Sequence, residues 1–459
     1  MASSYICAGF ETLATIVNNF ILNTKGEYRD NFTRTDVSFF LGETCNKFLH
    51  SFGQNFGGIK NPRDHKRREA RLLRKCRETG FFEVSEFFVD SGGFQISIGV
   101  LDKRETNLLL NLYYEYLQEY ADVYDRAFIL DIPPGPGCKV FKNFEDVYNL
   151  NLDSYSRAKN LPEELRKRII YIHHFRTPQL WEIYSKILKD EKMFEQFDYH
   201  GTGGIIANMA SDVSIPCIIY VIPLIPLLKQ AVEHGRKFLN FHILGGANFR
   251  DIFFYETFKK HVSKVHGVDL KITYDSSGLF KGLMIGRFMH VLEDGMFKKI
   301  DLRSSHLYKR FEGDRKVVDV YRDAIKRMSN KYGMRQISMT EVYSEASGTF
   351  WEDVKVYSMF YLLDLYMVAE RLLKEKAEEI YPLYEDGNIV EYNMKVEEIT
   401  RNINGGRITM KQKAKAHCVP KSLDMLTNLD EEYCKYIVSK FLSKDEFSEL
   451  TDRGQVLTI

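Results

Sequence analysis

The chain has 459 residues, 44% of them hydrophobic and 28% charged, which excludes extended disorder and a fibrous class and suffices for one large domain with a smaller companion. With 64 Lys and Arg against 63 Asp and Glu the net charge is +1, so a nucleic-acid partner has to be held by local basic patches rather than by a global field. The seven cysteines are scattered and contain no CxxC pair, which predicts free thiols in a reducing compartment. The opening MASSYICAGFETL has no basic residue ahead of its apolar stretch, and the longest apolar run, Pro216–Leu228, holds three prolines and falls short of the roughly 20 residues a membrane span needs. The expectation is a soluble cytoplasmic protein, in a host cell's cytoplasm if it is viral, with no membrane partner.

Short β-branched or aromatic runs, each followed by turn residues and then by a helical period, recur through the first two thirds of the chain. In order, strands are predicted at Tyr5–Cys7, Val37–Leu41, Phe87–Asp90, Phe128–Asp131, Ile169–His173, Tyr199–Gly203, Phe238–Leu244 and Lys271–Asp275. Amphipathic stretches lie between them at Arg104–Tyr120, Phe144–Lys159, Pro178–Leu188, Leu224–His234 and Phe249–Val265. Eight strands alternating with helices predict an α/β fold, a closed parallel (β/α)8 TIM barrel over residues 1–295. A basic insertion, about 53–82, separates strands two and three. Past Met296 the pattern turns helical, at Val317–Lys331, Trp351–Glu378 and Leu423–Leu442 with no strand run between, so 296–459 reads as a mostly helical carboxyl-terminal region. Arg401–Lys415, basic and glycine-containing, is expected to be a loop or hairpin within it.

In such a barrel the chemistry sits at the carboxyl ends of the strands. Three predicted strands end in aspartate: Asp90 in FFVDSGGFQIS, Asp131 in FILDIPPG and Asp275 in KITYDSSG. A strand-end Asp often only caps the next helix. Three on one rim, each beside Gly, Ser or Pro, point instead to a site. The fifth strand ends in His173 and His174, the sixth in Gly203 and Gly204, the seventh in Gly245 and Gly246. Gly-Gly pairs serve tight turns, or let backbone approach a flat ligand closely.

The segment DSGGFQ, Asp90 to Gln95, resembles the most specific motif of the tRNA-guanine transglycosylase family. FLGET at Phe40 to Thr44 is similar to that family's second-strand LGNT, GTGGI at Gly201 to Ile205 to its GGL, ILGGANFRDI at Ile243 to Ile252 to its MGVGxPxDI, and GVDLKITYDSS at Gly267 to Ser277 to the strand ending in its nucleophile. Order and spacing agree over roughly residues 1–295. The resemblance implies a pentosyltransferase with Asp275 as nucleophile on C1′ of the target nucleoside and Asp90 as general acid/base at N9 of the base. It implies Asp131 as reader of a guanine-like edge, with Gly203, Gly204 and Ile205 offering backbone groups and Phe94 and Leu244 enclosing the ring faces. Ser91, Gln95, His173 and Gly245 complete the implied base-binding set. Independently of any name, two carboxylates facing one anomeric carbon can run a double displacement with retention, and the base must leave its stack to reach them.

The pattern breaks in three places. The family's CxCxxC zinc site is absent, since only Cys418 and Cys434 follow the barrel and the adjacent His417 and Cys418 are poorly placed to share a tetrahedral metal, so neither metal nor cofactor is expected. The family's strand-five glutamine is replaced by His173 or His174. The glutamate that receives an aminomethyl base falls near Met209, which favours a nitrile base such as 7-cyano-7-deazaguanine (preQ0). Meanwhile KNPRDHKRREARLLRKCRE, Lys60 to Glu78, holds nine Lys or Arg against three acidic residues. It reads either as a solvated amphipathic helix or as a strip whose Arg67, Arg68, Arg71 and Arg74 touch nucleic-acid phosphates. A barrel without the zinc site resembles the DNA-directed, DpdA-type branch of the family. The expected activity is therefore exchange of guanine in DNA for preQ0 or a derivative, protecting DNA from restriction. The alternatives are the same exchange on tRNA, a non-catalytic partner subunit of a transglycosylase, and a glycoside hydrolase on a similar barrel. Oligomeric state is not legible.

Overall fold

The computed structural model describes residues 5–8, 47–54, 56–57, 61–78, 84–133, 139–141, 143–175, 178–190, 192–203, 216–246, 249–275, 288–293, 296–301, 368–404, 406 and 408–441. Eight strands run parallel and pair in chain order: β1 (Tyr5–Ala8), β2 (Lys47–Ser51), β3 (Glu86–Asp90), β4 (Arg126–Phe128), β5 (Ile169–His173), β6 (Tyr199–Thr202), β7 (Phe238–Ile243) and β8 (Asp269–Asp275). The sheet curls into a barrel-like α/β fold, and β1 pairs with β2 on one side and β8 on the other. The crossovers are helical: α1 (Pro62–Glu78) joins β2 to β3, α2 (Gly93–Ser97) and α3 (Lys103–Glu119) join β3 to β4, and α4 (Phe144–Lys159) joins β4 to β5. α5 (Pro178–Asp190) follows β5, α6 (Pro216–Val221) and α7 (Leu224–Glu233) follow β6, and α8 (Phe249–His266) follows β7.

Two strands differ from the sequence reading. The second strand is KFLHS at Lys47–Ser51 rather than Val37–Leu41, which, with FLGET, lies outside the described residues. Its Lys, His and Ser hid it from a search for apolar runs. His50 is nonetheless buried, because its Nε2 meets Glu69 of α1 at 2.7 Å. The fourth ladder ends at Phe128, not Asp131. Beyond Ile129, whose N–H reaches Ile170, the chain is satisfied by side chains of α4. Ser154 donates to the Leu130 carbonyl at 2.5 Å, and the Asn151 amide brackets Ile132, accepting from its N–H at 2.9 Å and donating to its carbonyl at 3.0 Å. A second clamp spans the short β3–β4 seam, where Tyr113 of α3 shares its phenolic proton between the carbonyls of Phe128 (2.6 Å) and Val89 (3.2 Å).

The basic segment is the β2–β3 crossover helix itself and not an addition to it. Its inner face buries polar groups beside Ala70, Leu73 and Cys76: His65 bonds the Phe52 carbonyl at 2.8 Å, and Lys66 is held by Glu115 and Glu119 of α3 at 2.7 Å each. α3 starts on a capping box, Asp102 accepting from the Glu105 N–H while Glu105 accepts from that of Asp102.

After β8 come an antiparallel hairpin, β9 (Phe288–Glu293) and β10 (Met296–Asp301), and a helical carboxyl-terminal part. The hairpin places a strand beyond Met296, where none was expected. The helices are α9 (368–385), α10 (Ile389–Ile403), α11 (Met410–Ala416), α12 (Val419–Asn428) and α13 (Glu431–Phe441). The expected loop at Arg401–Lys415 is instead the end of α10, a short turn and most of α11. The expected single helix Leu423–Leu442 breaks at Leu429, whose φ of 50° ends α12. Val317–Lys331 lies outside the described residues, as does the first half of Trp351–Glu378. These helices pack on the outside of the late crossovers. His261 of α8 binds the Tyr381 hydroxyl at 2.7 Å and the Thr427 hydroxyl at 2.8 Å, and Tyr274 of β8 donates to Glu370 at 2.6 Å. Among the described residues no helix is long and apolar enough to cross a membrane.

Candidate active site

Side chains alternate along a strand, so Phe88 and Asp90 of β3 share one face. Phe88, Phe128 and His242 meet inside the ring of strands, with ring centroids 4.8 to 6.4 Å apart, and close its interior beneath the carboxyl ends. The three strand-end aspartates stand at those ends.

Asp90 accepts a hydrogen bond from Ser51 Oγ at 2.8 Å, its register partner on β2. Burial pushes its pKa up from 3.8 to about 6 against that hydrogen bond, and the charges of Asp131 and Asp275 push it the same way. The three carboxylates thus feel one another.

Asp275, 8% exposed, is held through a single oxygen: Oδ1 accepts from the Gly245 N–H at 2.8 Å and from His242 Nε2 at 3.2 Å. His242 is oriented in turn by the Thr273 hydroxyl, 2.9 Å from Nδ1. Among the described residues Oδ2 has no hydrogen-bond partner, which leaves one carboxylate oxygen for chemistry.

Asp131 owes its position to the Asn151 bracket on the next residue and to the DSGGF turn. A Cβ on Gly93 would lie 1.7 Å from the Asp131 carbonyl oxygen, and Gly92 has φ 99° with a Cβ position 2.6 Å from Gly53 Cα. Both glycines are required, one for close approach and one for a left-handed backbone. Asp131 Oδ2 lies 3.2 Å from His174 Nε2, and a Cβ on Gly203 would sit 3.5 Å from that same oxygen and 3.1 Å from Leu244 Cδ1. Asp131, Gly203 and Leu244 therefore come together.

Several candidates are placed differently. His173 points away from Asp131 into the layer between strands and helices, where its Nε2 meets His200 Nδ1 at 3.0 Å and its ring stacks on Phe175; burial holds its pKa well below the usual histidine value. His174, the residue just past β5, faces the carboxylates, because it shares the inward phase with Ile172, which packs on Gly201 and Gly203. Ser91 is buried and donates to the Ile129 carbonyl. Gln95 is half-buried, its Oε1 without a hydrogen-bond partner among the described residues, and Phe94, on α2 at the rim, is 50% exposed. Gly245 serves through its amide. Gly204 and Ile205 lie outside the described residues.

The four arginines of α1 also separate. Arg74 forms a two-point pair with Asp122 (2.8 and 2.9 Å) in the turn before β4, at the end of the ring opposite the aspartates. Arg68 pairs with Glu69 at 3.0 Å. Arg67 and Arg71 are exposed and have no side-chain partner among the described residues. Sequence reasoning missed Ser51, His242 and Thr273, and of the pair His173 or His174 it put His173 in the site; the period-two alternation of IIYIHH and FLNFHI held the signal for His174 and His242. Among the described residues no group of three His, Cys, Asp or Glu is arranged to hold a metal, and His417 is engaged by Glu397. No protein-family model matches the chain, and no curated protein matches it.

Proposed function

We propose that the chain is a base-exchanging pentosyltransferase on a (β/α)8 TIM barrel, which replaces guanine in DNA by a 7-deazaguanine such as preQ0. The observation that carries this reading is the carboxylate cluster, in which Asp90 is raised to about 6 while Asp275 is anchored by one oxygen with the other free among the described residues. A carboxyl near 6 can give and take a proton near neutral pH. Asp275 Oδ2 attacks C1′ as the C1′–N9 bond breaks, and protonated Asp90 delivers its proton to the departing guanine. The incoming base returns its N9 proton to Asp90 and takes the sugar from the Asp275 ester, so protons balance and no nucleotide triphosphate is consumed. Asp131, oriented by Asn151 and flanked by His174, reads the N1 and exocyclic amino edge, with Gly203 and Leu244 against the ring. Phe94 offers a stacking face to the extruded base.

Support for DNA over tRNA comes from the absent CxCxxC motif, and support for a nucleic acid of either kind from Arg67 and Arg71 on α1, which are exposed and have no side-chain partner among the described residues. The test is mass spectrometry of nucleosides from DNA and from tRNA of cells expressing the protein and supplied with preQ0. The modified base is expected in DNA, with a covalent protein–DNA adduct that Asp275→Ala and Asp275→Asn both abolish. Modification confined to tRNA would transfer the substrate, and undiminished exchange in either variant would remove the nucleophile.

A further inference from the structure

The opposite end of the ring carries a second concavity, about 500 Å³ in volume, walled by the first residues of β4, β6 and β7 and by the turns before β5 and β7. Three guanidiniums line it, and each is held by uncharged acceptors. Arg126 donates to the Asp125 carbonyl at 3.0 Å and the Tyr199 hydroxyl at 2.7 Å. Arg168 donates to the carbonyls of Ala121 (2.8 Å) and Tyr124 (3.4 Å), and Arg236 to that of Phe194 (3.3 Å). Aromatic faces fix two of the planes, Arg126 lying 4.2 Å over the Tyr199 ring and Arg236 5.2 Å over that of Phe194. These contacts orient charge without neutralising it, and among the described residues none of the three has an ion-pair partner.

The rest of the wall does not balance the account. Glu164 and Asp198 stand against the three arginines and Lys167, the last already paired with Glu163 at 2.9 Å.

We propose that this cavity binds a small phosphate-bearing molecule, independently of the reaction at the other rim. Planar, pre-oriented guanidinium forks match the oxygens of a phosphate, and the stacked aromatics cover the guanidinium faces while leaving their N–H edges for the ligand. The volume falls in the roughly 300–1,000 Å³ of small-molecule sites and suits a mononucleotide rather than a duplex.

The test is calorimetric titration of the full chain with inorganic pyrophosphate, with dGMP and with a short single-stranded oligodeoxynucleotide, at roughly 0.15 M salt where exposed charges are screened. Pyrophosphate and dGMP are expected to bind saturably at one site. Arg236→Gln, at an exposed position, should weaken both by about tenfold or more, the cost of one charge-assisted contact, with the thermal midpoint of the free protein unchanged. Lys237→Gln, one residue away and outside the wall, should keep wild-type affinity. No saturable binding of either small ligand, or equal losses in the two variants, would overturn the proposal. Binding of the oligonucleotide alone would place the phosphate in nucleic acid and overturn the small-molecule assignment.

Discussion

Replacing Asp90 by Asn should make the protein more stable and inactive at once. The folded carboxyl ionises near 6 instead of 3.8, so at pH 7 the native state carries an ionised group that its surroundings disfavour. Between those two values the native state binds the proton more tightly than the unfolded chain, so stability falls as pH rises from about 4 to 6. At about 1.4 kcal/mol per unit the difference amounts to about 2 to 3 kcal/mol above pH 6, allowing for the partial exposure of the side chain. Asn retains the acceptor for Ser51 Oγ and carries no charge toward Asp131 or Asp275. Urea unfolding of both proteins at pH 7 should show Asp90→Asn the more stable by about that amount, the gap closing near pH 4, while base exchange is lost. A variant that is equally or less stable at pH 7 would refute the shared-carboxylate argument, because the strain that argument requires would be missing.

Three further outcomes follow. Gly93→Ala forces a methyl into the Asp131 carbonyl and should cost about 3 kcal/mol or more in chemical unfolding, whereas Gly57→Ala, whose nearest neighbour would lie at 3.6 Å, serves as a matched control with little effect. Arg67→Glu and Arg71→Glu should each weaken DNA binding and reduce its salt slope by about 1, while Arg74→Glu breaks the Asp122 pair and leaves DNA affinity unchanged; equal losses in a filter-binding series would return α1 to a general electrostatic role. His261, its pKa lowered by burial from 6.5 to about 4, should make wild type lose up to about 3 kcal/mol as pH falls from 6.5 to 4, the range in which only the unfolded chain takes the proton. His261→Gln should flatten that slope in circular-dichroism unfolding.

The strand–helix alternation was legible because α3, α4, α5, α7 and α8 carry ordinary amphipathic periods, and the carboxylate rim because its residues stand at the ends of Phe- and Ile-rich runs. What escaped had its polarity cancelled by a distant partner. KFLHS does not read as a strand until Glu69 neutralises His50, and Asp131 looked like a ladder residue because nothing local reveals that Asn151 and Ser154 have taken over from β5. The choice between His173 and His174 was open to period-two reasoning, since Ile172 and His174 share the inward phase. The break at Leu429 has no glycine to announce it.

The phenol of Tyr113 gives the molecule an adjustable seam. It pins Val89 to Phe128 from a surface helix, one residue before Asp90 at the end of β3 and three before Asp131, which lies beyond the end of β4. The gap between Asp90 and Asp131 thus follows how α3 leans, so if the proposed base exchange holds, a repacking far from the site would widen or narrow the slot for bases of different bulk without altering one residue that lines it.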